Sequence, residues 1–294
     1  MAKTTENIRF YITENCNARC KNCFNSSLRS GVDMHLINFT QLCKYFNANG
    51  IKHIKIMGGE PTTHPQFLEL LAIAQNNFEE VSIFTNAISP TISNVSLRDK
   101  DKVVYNFKFS QALDANKLLL GEPGKRALEV QVLRGLNIEK VKNEIQRIAK
   151  ILPEVEVYLT LDCTTDIFME RNSVIPIYED LQNYCKDHNI KQGQDHILPL
   201  CYVKGSRIPL PRSGAFCNIQ CSGLIDSHYN IRFCNQHQQV LGNMYDSKMQ
   251  LIDWNSFVSL LNSKYFEIRE QISNKECRDC IFLDVYCNGG CFKK

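Results

Sequence analysis

From residue 8 to residue 198 the chain alternates short β-branched runs with segments of helical periodicity, and no other feature constrains its fold as much. The strand candidates are residues 8–13, 53–57, 81–85, 103–109, 128–133, 155–161 and 196–198. Helical patterns cover residues 39–49, 65–76, 138–152 and 175–188, the first of them closed by Gly50. Repeats of this kind build an α/β fold with a parallel sheet and right-handed crossovers, open or curled into a barrel. In such folds the loops at the carboxyl ends of the strands form the active face. Residues that directly follow a strand are therefore the first place to look for chemistry.

The pattern changes near residue 201. Residues 204–214 contain two glycines, two serines and two prolines, the composition of a linker, and one clear helix follows at about 251–271. We place a boundary near residue 203, with residues 1–203 as one domain and 204–294 as a second, smaller one. With 34 basic and 31 acidic residues the net charge is only +3, which argues against nucleic acid or an anionic membrane as partner. No apolar run is long enough to span a bilayer, and the N-terminus lacks a signal pattern. A cytoplasmic location follows, and in that reducing setting the 14 cysteines point to metals or catalysis before disulfides.

Cys16, Cys20 and Cys23 lie in CNARCKNC, directly after the first strand. Three thiolates at this spacing can ligate three irons of a cubane [4Fe–4S] cluster and leave the fourth iron open to an exogenous ligand. A three-cysteine zinc site or plain buried thiols are the alternatives. Gly58, Gly59 and Glu60 end the second strand and so share that face. Glycines there allow close backbone approach, and a carboxylate can receive an amino group.

Taken together, CNARCKNCF and GGEPTTHP resemble the signatures of the radical S-adenosylmethionine (SAM) superfamily. The resemblance implies a partial parallel (β/α)6 TIM-like barrel. It implies a [4Fe–4S] cluster on Cys16, Cys20 and Cys23, with SAM chelating the open iron, and a 5′-deoxyadenosyl radical that abstracts hydrogen. Gly58, Gly59 and Glu60 would meet the methionine amino group, and Phe24 would line the adenine pocket. Thr85 and Asn86 resemble the end of the third strand in this family, although Ala87 stands where the family has glycine. Ser110 and Asp114 stand in for the serine-containing fourth strand end. Arg134 is either a carboxylate ligand or a solvated surface arginine.

Seven cysteines lie beyond the boundary. CRDCIFLDVYCNGGC alone could be a zinc knuckle, but the whole arrangement resembles the SPASM extension of radical SAM enzymes. By that resemblance Cys217, Cys221, Cys234 and Cys291 would hold one auxiliary [4Fe–4S] cluster. Cys277, Cys280 and Cys287 would begin a second, whose last cysteine is missing. One or two auxiliary clusters are thus expected, in a small cysteine-rich iron–sulfur domain.

The function implied is maturation of a ribosomally made peptide by crosslinking, oxidation or epimerisation. An electron donor such as flavodoxin or ferredoxin is implied. A separate leader-binding protein is a further expectation, since the barrel begins near residue 8. Oxidation of a small metabolite is the alternative, and a non-catalytic iron–sulfur or zinc protein is the alternative of another class. Cys163 and Cys201 follow strand candidates and are candidate hydrogen donors to a substrate radical, with buried packing thiols as the bland reading. Cys43 and Cys185 fall within helical patterns and are read as packing residues. Asp162 and Asp166 are candidate bases or, equally, surface loop acids.

Overall fold

The computed structural model describes residues 7–20, 23, 25, 29–107, 118, 119, 121–161, 167–194, 222–234 and 239–270. The chain divides into two compact units, one of Met1–Arg126 with Ile219–Tyr265 and one of Ala127–Asn218 with Phe266–Lys294. The boundary expected near residue 203 lies outside the described residues.

The first unit contains β1 (Asn7–Thr13), α1 (Leu36–Ala48), β2 (His53–Gly58), α2 (Phe67–Asn77), β3 (Glu80–Thr85) and β4 (Lys102–Phe107). Its strands run in the order β10-β9-β8-β1-β2-β3-β4, which also draws on the later chain. The second unit contains β5 (Lys125–Val132), α3 (Ile138–Ile151), β6 (Glu156–Leu161), α4 (Ile167–Asp187) and β7 (Lys191–Gln194). The later elements of the first unit are β8 (Ser222–Ile225), β9 (Asn230–Arg232), β10 (Val240–Asn243) and most of α5 (Trp254–Glu270). Strands β8, β1, β2, β3 and β4 are parallel neighbours, while β9 and β10 return antiparallel. A strand from beyond residue 203 therefore lies directly against the first strand of the chain. The α/β class with a mostly parallel sheet is as the alternation required.

The pleat of β1 decides what faces what. Ile8, Phe10 and Ile12 are fully buried on the helix side, where the Phe10 ring meets Phe39 and Phe46 of α1 edge-on at 5.1 and 5.7 Å. Phe46 in turn meets Phe257 of α5 at 5.4 Å, so one aromatic stack joins β1, α1 and α5. Burying rings of this size stabilises by roughly 2–3 kcal/mol each. Gly223 of β8 makes room for α5, since a Cβ there would come within 2.9 Å of the Phe257 ring.

In the second unit β5, β6 and β7 are parallel. Asn137 caps α3 by accepting from the Lys140 amide at 3.0 Å. Helix α4 begins eight residues before the expected start, because Pro176 sits inside the helix rather than at its first turn. Similarly, α1 begins three residues early, because exposed Ile37 breaks the apolar period there. The strand expected at residues 196–198 lies outside the described residues, and β7 directly follows α4 instead. Among the described residues, no helix is long and apolar enough to cross a membrane.

Candidate active site

The site is built at the carboxyl ends of β1, β2 and β3, all within the first unit. After β1 the chain leaves in the cysteine loop and returns beside its own strand. The Glu14 amide donates to Val32 O at 2.9 Å and the Met34 amide to Ile12 O at 2.8 Å. Thr13 and Asn15 both donate to Asp33 Oδ1, the latter at 3.0 Å, which pins the base of the loop. Cys16, Cys20 and Cys23 follow, each partly exposed.

Gly58, Gly59 and Glu60 clamp this loop from the β2 side. The Gly59 amide donates to Thr13 O and the Glu60 amide to Asn15 O, both at 2.8 Å. The approach is too close for any side chain. A Cβ on Gly58, which has φ +150°, would stand 2.3 Å from Thr13 O, and one on Gly59 would stand 2.1 Å from Asn15 O. The glycines thus serve close backbone approach, with the cysteine loop itself as the neighbour. Asn25, buried just beyond Cys23, adds a bond from its side-chain nitrogen to Gly58 O at 2.9 Å.

Glu60 is almost fully buried. Its Oε1 accepts from the Thr62 amide, the Thr62 hydroxyl and the Thr85 hydroxyl, and its Oε2 from the Asn86 amide at 2.7 Å. Burial pushes its carboxyl above the ordinary range, and these hydrogen bonds only partly offset that. A single carboxylate so ties the end of β2 to the end of β3. Asn86 passes the connection on, donating from its side chain to Asn17 Oδ1 in the cysteine loop at 2.9 Å. Ala87, where a glycine was expected, holds the left-handed φ of 54°.

Two groups that the sequence reading passed over complete the site. Arg29 has its guanidinium hydrogen-bonded to Cys23, with Cys16 and Cys20 near enough to raise its pKa further. Burial pushes the Cys16 thiol up, while the Ala18 amide and Arg29 act in the opposite direction. Glu14, also buried, accepts from the Ser30 amide at 2.9 Å and from the Ser227 hydroxyl at 3.0 Å, with His228 Nε2 3.8 Å away. It fastens the cysteine loop to the turn after β8. Among the described residues no three His, Cys, Asp or Glu side chains stand close enough together to hold one metal ion.

Of the remaining expected site residues, Cys234 is described and buried, following β9 on the strand that pairs with β8. Arg134 is exposed after β5. Cys43 and Cys185 are buried within α1 and α4, and burial pushes the Cys185 thiol up to about 11. Phe24, Ser110, Asp114, Asp162, Cys163, Asp166, Cys201, Cys217, Cys221, Cys277, Cys280, Cys287 and Cys291 lie outside the described residues.

Residues 10–105 match the family model described as the radical SAM superfamily. A probable GTP 3',8-cyclase of Methanothermobacter marburgensis is 27% identical over 201 residues, covering 66% of this chain and 64% of that protein. The GTP 3',8-cyclase of Chlorobaculum tepidum is 25% identical over 160 residues, 47% of this chain and 48% of that protein. The match thus spans less than two thirds of either relative. Among solved structures, Streptococcus suis SuiB bound to S-adenosylmethionine superposes with a TM-score of 0.67 at 14% identity, over 98% of this chain and 73% of that one. Native anSMEcpe with bound AdoMet and a Kp18Cys peptide superposes with a TM-score of 0.65 at 15% identity, over 98% and 90%. At these identities the superpositions establish a shared fold.

Proposed function

We propose, on the premise that residues 10–105 make this chain a member of the radical SAM superfamily, that it is an enzyme that modifies a peptide. The observation that carries the reading is the locking of the cysteine loop onto Gly58, Gly59 and Glu60 by backbone contacts too close for any other residue. The donor set fits a [4Fe–4S] cluster: three thiols share one loop, and Arg29 stands among them to offset the charge of the thiolates. Cys16, Cys20 and Cys23 would hold it. When bound, the cluster and SAM together supply a carbon radical able to take hydrogen from an unactivated C–H bond.

The chain's own residues bind and position. Glu60 Oε2 accepts one hydrogen bond and keeps capacity for an ammonium group, whose positive charge would favour the buried carboxylate. Gly58, Gly59, Thr85 and Asn86 line the same strand ends as Glu60, and Phe24 and Ser110 complete the proposed SAM site. Cys217, Cys221, Cys234 and Cys291 are proposed to hold one auxiliary cluster in a SPASM-like segment, with Cys277, Cys280 and Cys287 beginning a second. Cys163 and Cys201 remain proposed hydrogen donors. Flavodoxin or ferredoxin is the proposed electron source, and a separate leader-binding protein the proposed helper.

A peptide substrate is supported by the fold shared with SuiB, also solved bound to the precursor peptide SuiA, and with anSMEcpe bound to a peptide. A second reading, a small metabolite, is favoured by the relatives named GTP 3',8-cyclase. Anaerobic co-expression with short peptides encoded beside the gene, followed by mass spectrometry, decides between them. Loss of a pair of hydrogens indicates oxidation or crosslinking, and a mass unchanged in ordinary water with deuterium uptake in heavy water indicates epimerisation. Unmodified peptides in a preparation that still cleaves SAM refute the peptide reading in favour of a metabolite.

A further inference from the structure

Glu14 directly follows β1, two residues before Cys16, and is only 4% exposed. Taking a carboxylate out of water is unfavourable unless donors replace the water on its oxygens. Here both oxygens have them. Oε2 accepts from the amide and the hydroxyl of Ser30, and Oε1 accepts from the Ser227 hydroxyl at 3.0 Å. The Ser30 hydroxyl spends its one hydrogen on Glu14, so the His228 ring nitrogen 3.3 Å away faces it as a donor. Fastening the cysteine loop does not by itself require a buried charge. The amides of Gly59 and Glu60 and the Asn25 side chain already tie the loop to the end of β2.

What the carboxylate adds is a double grip on Ser30, the residue that follows Arg29. The Arg29 guanidinium is hydrogen-bonded to Cys23, with Cys16 and Cys20 also near. A long arginine side chain loses much rotamer freedom when it is held in one place. Fixing the backbone beside it removes part of that disorder in advance, as a supporting residue must. The far end of the grip is rigid as well. Ser227 is 2% exposed in the turn after β8. Beside it, the Asp226 carboxylate accepts from the amides of His228 and Asn230 at 3.0 and 2.9 Å and from Arg232 Nε at 2.8 Å. Parallel pairing of β8 with β1 brings this turn to the end of β1.

We propose that Glu14 is a positioning residue for the cluster: through Ser30 it holds Arg29 at the cysteine loop, while Ser227 holds Glu14. This role rests on the reading above, in which those cysteines carry a cluster. A segment 213 residues further along the chain then completes the site.

The test uses the full chain, anaerobically reconstituted. A redox titration follows the cluster whose electron paramagnetic resonance signal changes when SAM is added. Glu14→Gln keeps the hydrogen bonds, since its amide oxygen accepts from Ser30 and its nitrogen donates to Ser227 Oγ. It loses only a negative charge, so the midpoint potential should rise. Glu14→Ala loses the same charge but also frees Ser30 and Arg29, so its potential should lie below that of Glu14→Gln. In an Arg29→Gln background the two Glu14 variants should have equal potentials, because no cation is left to position. A merely structural glutamate would not give that convergence. Should Glu14→Ala fail to fold or to load iron, Ser227→Ala decides, as it changes no charge. It should lower the potential of the wild type and leave that of Arg29→Gln unchanged. Equal potentials for Glu14→Gln and Glu14→Ala with Arg29 present, or a difference that persists without it, overturn the proposal. A wild type with no SAM-sensitive signal refutes the enzymatic reading instead. The grip on Ser30 is then read in the cluster-free chain, where the Ser30 amide should exchange about a hundredfold faster in Glu14→Ala than in Glu14→Gln. Equal exchange rates overturn the proposal there too.

Discussion

Gly59→Ala is the sharpest perturbation of the site, because it adds one methyl group where backbone already stands. The new Cβ would lie 2.1 Å from Asn15 O, 2.7 Å from Asn15 C and 2.8 Å from Glu14 O. An unstrained carbon–oxygen contact needs about 3.3 Å, so the cysteine loop must retreat by about 1 Å. That retreat weakens the hydrogen bonds from Gly59 N to Thr13 O and from Glu60 N to Asn15 O. Two such bonds contribute about 1–3 kcal/mol together, and residual overpacking costs a further ~1–3 kcal/mol. The expected loss is therefore ~2–6 kcal/mol in urea unfolding of the cluster-free chain, with iron uptake on reconstitution impaired as well. Gly50→Ala is the control: Gly50 has φ +84° and no atom within 4 Å of a built Cβ, so only the left-handed backbone is penalised. That should cost about 1–2 kcal/mol and leave iron uptake intact. If Gly59→Ala loses no more stability than Gly50→Ala and loads iron normally, the steric account of the double glycine is wrong.

Other perturbations probe separate parts of the structure. Ala87→Gly should gain about 1 kcal/mol in chemical denaturation by relieving the φ of 54°, and a loss would show that the methyl group packs usefully. Burial alone would raise the Asp101 pKa, but hydrogen bonds from Arg98, Gln75 and Val81 outweigh it and hold the carboxyl below its usual range. Its folded pKa is the lower one, so its contribution is complete above the unfolded value near 3.8 and lost as pH falls through the folded value. Asp101→Asn should cost about 2–4 kcal/mol at neutral pH and flatten the acid limb of the stability curve, and an unchanged limb would assign that pH dependence elsewhere. Arg29→Gln should lower the midpoint potential of the reconstituted cluster in a redox titration, since a cation beside Cys23 favours the reduced, more negative state. An unchanged potential would show that the guanidinium leaves the thiolates once iron is bound.

How much of this was readable in advance follows from what local patterns can carry. Strands β1, β2 and β3 announce themselves because buried Ile, Phe and Val recur along short runs, and both motifs directly follow their strands. Glu60 was legible as a site residue, but its four hydrogen bonds were not, because Thr85 and Asn86 are brought to it by the pairing of β2 with β3 and Thr62 by the turn that follows β2. The contact of Glu14 with Ser227 spans 213 residues and leaves no periodic trace in either segment. Pairing of β8 with β1 was hidden for the same reason, since register between distant segments is set by the folded sheet. Gly223 offered a faint signal: a glycine within a short apolar run marks close approach of another element, here Phe257 of α5. Arg29 gave none, being one charged residue in a polar loop. Buried groups that no described residue satisfies, such as the Tyr11 hydroxyl, become visible only once the neighbouring strands are placed.

The central claim is that Cys16, Cys20 and Cys23 hold a cluster that cleaves SAM. The most direct measurement is 5′-deoxyadenosine formed from SAM under anaerobic reducing conditions, with iron counted in the same preparation, for the wild type and for the variant Cys16→Ala, Cys20→Ala, Cys23→Ala. The wild type should carry about eight to twelve irons with one or two auxiliary clusters present, and the variant about four fewer. Formation of 5′-deoxyadenosine should fall to background in the variant. Undiminished 5′-deoxyadenosine from the triple variant would contradict the account at its foundation.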